Sequence, residues 1–155
     1  MLSMSACSIF EGFTPPPVET AFHPLPPPPA PPAPQQSTAP PTPGEAYTEI
    51  VNWFSAAGYR DFQVQALVEH ARAESGFRPC AAAPAGYRYL YQWSSTRLQH
   101  LQEFAHTSGC PQLHTQLAFA DKELRNEGRF SCFWAATTEP AAYAALRRGF
   151  GAGSC

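Results

Sequence analysis

The chain has 155 residues and a formal net charge of −2, with 44% hydrophobic and 13% aromatic residues. This composition is typical of a globular protein with a packed core. A charge near neutrality lacks the basic excess that gives affinity for phosphates, so nucleic acid is excluded as an expected partner. The longest apolar run is shorter than the roughly 18 residues of a membrane helix, so the sequence predicts no spanning segment.

The first residues resemble the end of a bacterial lipoprotein signal, in which small residues precede a cysteine that becomes lipidated. Here that cysteine is Cys7, after Met1 to Ala6. The basic start and most of the apolar run of such a signal are missing, and an ordinary chain terminus with an unrelated cysteine fits the residues equally well. Residues 1–13 are therefore interpreted either as the remnant of a signal and membrane anchor or as a plain terminus.

Proline dominates residues 14–44, with runs at Pro15–Pro17 and Pro26–Pro29. Such a segment adopts extended polyproline II and cannot form a core, and about 30 residues at about 3.1 Å each reach on the order of 90 Å. The sequence predicts a disordered, extended stalk. A ligand for SH3-like domains is the less favoured alternative, because the basic residue that usually orients such ligands is missing.

Apolar residues recur at helical spacing beyond the stalk and predict a mainly α domain over residues 45–155. Five helices are predicted, and they begin near Tyr47, Asp61, Ser94 or Ser95, Pro111 and Glu139. The second helix is predicted to carry Glu74 on its last turn and to end at Gly76. From Cys80 to Trp93 the helical period is lost, and the sequence predicts an irregular loop or a short pair of strands.

Four cysteines remain when Cys7 is set aside, and this even number suits two disulfides in an oxidising compartment. Four cysteines allow three pairings, and the sequence does not choose among them. A Cys80–Cys110 bridge would close a loop of about 30 residues, and Cys132 would then pair with Cys155. No Cys-x2-Cys or His-x3-His spacing occurs, so neither a metal site nor a cofactor is predicted.

Glu74 has the position of a possible proton donor. Glycan cleavage requires a carboxylic acid that stays protonated near neutral pH. The negative end of the helix dipole and an apolar wall of Phe77, Tyr91 and Trp93 would both raise the pKa of Glu74. A glutamate before a helix-ending glycine is more commonly just a solvated residue, so this pattern alone makes Glu74 only a candidate.

The segment Glu74-Ser75-Gly76-Phe77, followed by Pro79, resembles the signature of the lysozyme and lytic transglycosylase superfamily, and in particular its phage-tail lysozyme type. The further motifs of that type correspond here to Phe54, Gly58-Tyr59, Gln65-Ala66, Gln92-Trp93, Arg97 and the segment from Gln116 to Leu124. The resemblance covers roughly residues 47–124. It implies a lysozyme-like helical fold with Glu74 as the catalytic acid.

The resemblance also implies a function: cleavage of peptidoglycan glycan strands by a muramidase or a lytic transglycosylase. Ser75, Tyr91, Gln92 and Trp93 are the residues expected to bind the sugars. Peptidoglycan is then the partner, and the expected protein is a monomer on the periplasmic side of the cell envelope, attached to the membrane if Cys7 is lipidated.

Two positions depart from the pattern of the family. Tyr89, in Arg88-Tyr89-Leu90, stands where a small residue is expected, and its bulk would narrow the cleft or reshape the loop. This departure motivates the alternative function, a catalytically inactive peptidoglycan-binding or scaffold domain. His70 lies one turn before Glu74 and, if charged and facing it, would lower the pKa of the acid. A solvent-facing His70 is the preferred expectation.

A second carboxylate would distinguish an inverting hydrolase, which needs a base to activate water, from a transglycosylase. Asp121, Glu123 and Glu103 lie on predicted helices, and each is expected to be a solvated charge or, for Glu123, a structural partner of Arg97. The sequence leaves both reaction outcomes open.

Overall fold

Six α-helices make up most of the part of the chain that the computed structural model describes, residues 39–151 and residue 153. They are α1 (Pro43–Ala56), α2 (Asp61–Ser75), α3 (Ser95–Ala105), α4 (Leu113–Asn126), α5 (Ser131–Ala135) and α6 (Glu139–Phe150). Between α2 and α3 lie a 3₁₀ turn at Pro84–Gly86 and two isolated bridges, Ala82 to Arg88 and Arg88 to Trp93. The predicted mainly α fold with an irregular loop beside the second helix is confirmed.

The folded part begins slightly earlier than the predicted boundary at residue 45. Thr42 caps α1, because its hydroxyl accepts the Glu45 N–H at 3.3 Å and the Glu45 carboxylate accepts the Thr42 N–H at 2.7 Å. Helix α1 therefore starts at Pro43, inside the segment predicted as a stalk. Residues 1–13 with Cys7, and the stalk up to residue 38, lie outside the described residues. Among the described helices, none has the length and apolar character needed to cross a membrane.

Three details differ from the sequence-based boundaries. The N-cap of α2 is Arg60, whose N–H bonds to the Gln63 side chain at 3.1 Å, rather than Asp61. Pro111 precedes α4 instead of lying in its first turn, because Gln112 is the N-cap. Helix α5 was not predicted, since five residues are too few for a helical period to be recognised.

Helix α2 is the centre of the domain and packs against α1 and α6. Eight of its residues are buried, including Leu67 and Ala71, which are fully buried. Ile50 and Phe54 of α1 and Leu146 of α6 are fully buried in the same core. Burial on several sides fixes the axis of α2, so the position of its last turn is set by the whole core.

The loop after α2 is tied to the segment before α4. Cys80 and Cys110 form a disulfide with a Cα–Cα distance of 5.5 Å, which confirms the first predicted bridge. The side-chain amide of Gln116, on α4, donates to the Pro79 carbonyl at 3.0 Å, and its oxygen accepts the Leu90 N–H at 3.0 Å. The loop that follows Glu74 is therefore held at both of its ends.

The second predicted bridge joins Cys132 and Cys155. Cys132 is disulfide-bonded, whereas Cys155 lies outside the described residues. The pairing of these two cysteines stays a prediction.

Gly149 of α6 provides a test of the packing. A Cβ at this position would lie 2.5 Å from two ring carbons of the buried Phe130. We expect Gly149→Ala to lower the free energy of unfolding by about 1–3 kcal/mol, because a fully packed ring must move. Urea denaturation measures this change. Gly44→Ala is the matched control, since nothing lies within 4 Å of its Cβ position, and a decrease in both variants would mean that the contact with Phe130 is not the cause.

Candidate functional site

The last turn of α2 ends in two successive left-handed residues. Gly76 has φ of 59° and Phe77 has φ of 61°. Glycine adopts this conformation freely, but for phenylalanine it costs energy, and such strain clusters at functional sites. The turn places the Phe77 ring edge-on against Tyr47 of α1, with 5.8 Å between ring centroids. The chain thus reverses directly after Glu74, with an aromatic pair beside the turn.

Glu74 is partly exposed, with 37% of its side-chain surface accessible. Its carboxylate accepts no hydrogen bond from another described residue. Partial burial raises the pKa of this carboxyl above its ordinary value, and the positive charge of Arg147 on α6 opposes the shift. Its position at the C-terminal end of α2 also disfavours the ionised form. Glu74 therefore combines access to a ligand with a carboxyl that holds its proton to higher pH, as a general acid requires.

His70 faces Glu74 and is buried, with 2% of its surface exposed. Its Nδ1 lies 3.7 Å from Oε1 of Glu74. Burial lowers the pKa of His70 to about 3, and the charges of Arg97 and Arg147 act in the same direction. The expectation that His70 faces solvent is wrong, because the ring of Phe150 from α6 covers it. Since the imidazole is neutral near pH 7, it does not place a positive charge beside the acid.

Two of the predicted sugar-binding residues are aromatic and lie in the core. Tyr91 is 1% exposed and its hydroxyl donates to the Leu67 carbonyl at 3.4 Å. Trp93 is fully buried and its indole N–H donates to Oε2 of Glu123 at 2.9 Å. Neither ring has an exposed face on which a sugar can stack in this conformation, and sugar binding by the two residues stays a prediction. Tyr91 packs against α2 through Leu67 and His70, and Trp93 packs against Tyr91.

The other two predicted binding residues are also buried and bonded to the backbone. The Ser75 hydroxyl donates to the Ala71 carbonyl at 3.0 Å, and Ser75 is 3% exposed. The Gln92 amide donates to the Tyr89 carbonyl at 2.9 Å, within a loop where Tyr89 and Gln92 both have positive φ. In this conformation Ser75 and Gln92 hold the helix end and the loop in shape.

Tyr89, the residue that departs from the family pattern, has φ of 71°. This left-handed backbone explains why a small residue is expected at the position. Its ring is buried, and its hydroxyl donates to the Gly109 carbonyl at 2.8 Å. The extra bulk packs between the loop and the segment before α4, so the ring does not project from the surface.

A buried ion pair lies behind the loop. Glu123 is 2% exposed and accepts two hydrogen bonds of 2.8 Å from Arg97, which confirms the predicted pairing. Arg97 also donates to the Phe150 carbonyl at 3.1 Å and lies over the Phe150 ring at 4.8 Å. This pair therefore fixes the ring that covers His70.

The remaining acidic candidates differ from each other. Asp121 accepts hydrogen bonds from the Tyr59 hydroxyl at 2.6 Å and from Arg125 at 2.7 Å, so it is engaged rather than simply solvated. Glu103 is exposed on α3, as predicted. Neither Asp121 nor Glu103 is therefore identified as a base that acts together with Glu74.

Sequence reasoning missed the exposed aromatic side chains. Tyr47 is 43% exposed beside Phe77, and Tyr87 is 46% exposed in the loop. The spacing on α1 assigned Tyr47 to the apolar face, but its ring lies at the edge of the core. An exposed aromatic ring offers an apolar face on which a sugar can stack. Locating Tyr47 there requires knowing that the start of α1 meets the turn after α2.

A cavity of about 510 Å³ opens between the start of α1 and the two disulfide-linked segments. Glu45 and Glu49 line one side, and Cys110, Pro111 and His114 line the other. Glu74 is not among its lining residues. The candidate site at the end of α2 therefore rests on its local geometry and not on this cavity.

One family model, described as phage tail lysozyme, matches residues 45–150 of the chain. Neither a curated protein nor a solved structure gives a match. The matched segment ends at the last residue of α6, so it contains α2 through α6 entirely and most of α1.

Proposed function

The chain belongs to the phage tail lysozyme family, and from that premise we propose that it cleaves the glycan strands of peptidoglycan with Glu74 as the proton donor. A lysozyme-like, peptidoglycan-related function follows from the family. Glu74 is assigned as the proton donor because its carboxyl is accessible and its pKa is raised by partial burial at the end of α2.

In the proposed reaction the protonated Glu74 donates its proton to the glycosidic oxygen while the bond from that oxygen to the sugar C1 breaks. The leaving sugar departs as an alcohol, and positive charge develops at C1. Either water or the 6-hydroxyl of the muramic acid then attacks C1. The attacking oxygen gives up its proton, which returns Glu74 to the acid form, and the product is a reducing end or an anhydro end respectively.

The exposed edge of the Tyr47–Phe77 pair is the sugar-stacking surface in this proposal. Tyr47 is the more accessible of the two rings, and Phe77 follows Glu74 by three residues. A sugar stacked there would be held beside the acid by an apolar surface, as aromatic side chains commonly do.

The proposal is tested with the full chain, its disulfides oxidised, on purified peptidoglycan sacculi. We expect soluble muropeptides, and mass spectrometry of their ends identifies the reaction: anhydro ends indicate a transglycosylase and reducing ends a hydrolase. Sacculi that bind the protein at several pH values without releasing fragments would contradict the proposal and favour the inactive binding domain. The enzyme is favoured over that alternative because the Tyr89 ring is buried and bonded to Gly109 instead of projecting from the surface.

With this substrate, the proposal extends to the location of the protein, which is the cell envelope on its periplasmic side. Lipidation of Cys7 and attachment to the membrane stay predictions, since Cys7 lies outside the described residues. The monomeric state also stays a prediction.

A further inference from the structure

His70 is a polar side chain whose two ring nitrogens are both buried and have no hydrogen-bond partner among the described residues. Buried polar groups in proteins are nearly always hydrogen-bonded, and leaving one unpaired costs stability. An apolar ring of the same shape would fill this space without that cost. The presence of imidazole here therefore indicates a use for one of its nitrogens.

The ring of His70 is held in one orientation by two aromatic neighbours. Tyr91 stacks on it at 5.5 Å with an interplanar angle of 14°, and Phe150 stacks on it at 4.9 Å with an angle of 21°. Tyr91 and Phe150 are also only 5.4 Å from each other, so the three rings form one aromatic cluster and the two neighbours do not lie on opposite faces of the imidazole. The imidazole edge that carries Nδ1 is turned to Glu74. On that edge, Nδ1 lies 3.7 Å from Oε1 of Glu74.

The surroundings of His70 also fix its charge state. The charged and titratable groups around it come from its own helix, the loop, α3 and α6: Glu74, Tyr91, Arg97, Tyr143 and Arg147. Burial and the two arginines hold the pKa of His70 at about 3. The imidazole is therefore neutral over the range in which Glu74 titrates, with a hydrogen on only one nitrogen.

We propose that His70 is a positioning residue for Glu74: its neutral Nδ1–H donates to Oε1 of the Glu74 carboxyl and leaves Oε2 free to face the glycosidic oxygen. This inference rests on the proposed function of Glu74. The 3.7 Å separation closes with a small rotation of the glutamate side chain, which accepts no other hydrogen bond from a described residue.

The hydrogen bond would act during proton transfer. As Oε2 loses its proton, negative charge spreads to Oε1, and a donor already directed at Oε1 stabilises that charge. A guanidinium or an imidazolium in the same place would hold the carboxyl ionised before reaction. A neutral donor stabilises the developing carboxylate but lowers the pKa of the resting acid less than a positive charge would.

The test compares His70→Phe, which keeps an aromatic ring in the stack, with His70→Asn, which restores an amide donor. In the Phe variant we expect kcat to fall about 10- to 100-fold with KM nearly unchanged, because a hydrogen bond to a developing charge is lost. The pKa of Glu74, measured by carboxyl carbon NMR, should rise because the carboxylate loses its donor. The Asn variant should recover part of the lost kcat and should reverse part of the rise in the pKa of Glu74. The melting temperature of the Phe variant should equal or exceed that of the wild type.

A measurement on the wild-type protein is independent of folding in the variants and of activity. Nitrogen NMR of the imidazole should show the Nδ1–H tautomer of His70 near neutral pH. The Nε2–H tautomer, an unchanged pKa of Glu74 in a folded Phe variant, or wild-type kcat in that variant would each overturn the proposal. Failure of the proposed function would instead appear as wild-type protein that releases no glycan fragments, while the tautomer still decides the hydrogen bond.

Discussion

Glu74→Gln is expected to lower the rate of fragment release from sacculi by about 10²–10⁴-fold, the usual contribution of a general acid. The amide keeps the size of the side chain, but its N–H protons are far too weakly acidic to be transferred to the glycosidic oxygen. The fold should persist, because Glu74 is 37% exposed and accepts no hydrogen bond from another described residue. The measurement is the initial rate of muropeptide release, with circular dichroism and the melting temperature as checks of folding.

Glu69→Gln is the matched control for that variant. Glu69 lies on the same helix and pairs with Arg72 at the surface, so its loss should leave the rate within about twofold, as expected for an exposed pair. Equal losses in the two variants would point to the charge of the helix rather than to an acid. Full activity of Glu74→Gln would mean that another group donates the proton.

The pH dependence follows from the direction of the pKa shift. Burial raises the pKa of Glu74 above 4.5, and a general acid works only while protonated. Activity should therefore decline as pH rises through that raised pKa. The decline should occur at a higher pH than the ionisation of a fully exposed glutamate.

Glu123→Gln is expected to lower the free energy of unfolding by about 3 kcal/mol, since breaking a buried ion pair leaves an uncompensated charge. Glu123 is 2% exposed and accepts hydrogen bonds from Arg97 and Trp93. The amide can accept on one atom only, so at least one of these donors loses its partner. Urea denaturation, followed by far-ultraviolet circular dichroism, measures the change.

Glu127→Gln is the comparison for this second variant. Glu127 is 40% exposed and pairs with Arg129, which also contacts Glu123. A surface pair contributes at most about 1 kcal/mol, so this variant should unfold nearly as the wild type does. If the free energy of unfolding fell by the same small amount in both variants, the buried pair would not stabilise the domain.

The helices were predictable because their burial follows local spacing. Ile50 and Phe54 on α1 are one turn apart, Leu117 and Leu124 on α4 are two turns apart, and all four enter the same core. The Cys80–Cys110 bridge was one of three possible pairings and became definite only when the loop and the start of α4 were placed together.

The surroundings of Glu74 were harder to predict. The ring of Phe150 covers His70, although 80 positions separate them in the sequence, so the spacing on α2 alone could not show that His70 is buried. Tyr91 and Trp93 were recognised as neighbours of the acid, but an aromatic residue near a motif can lie in the core or at the surface with equal ease. Tertiary packing decides between the two.

Gln116 gives the loop after Glu74 an attachment that does not depend on oxidation. Its side chain bonds to the Pro79 carbonyl, the Pro111 carbonyl and the Leu90 N–H, on either side of the bridge between Cys80 and Cys110. The buried Leu90 amide can exchange its hydrogen with deuterium only when the loop leaves α4. The exchange rate of this one amide, compared between oxidised and reduced protein, therefore reports how often the loop opens and how much of its closure is due to the disulfide.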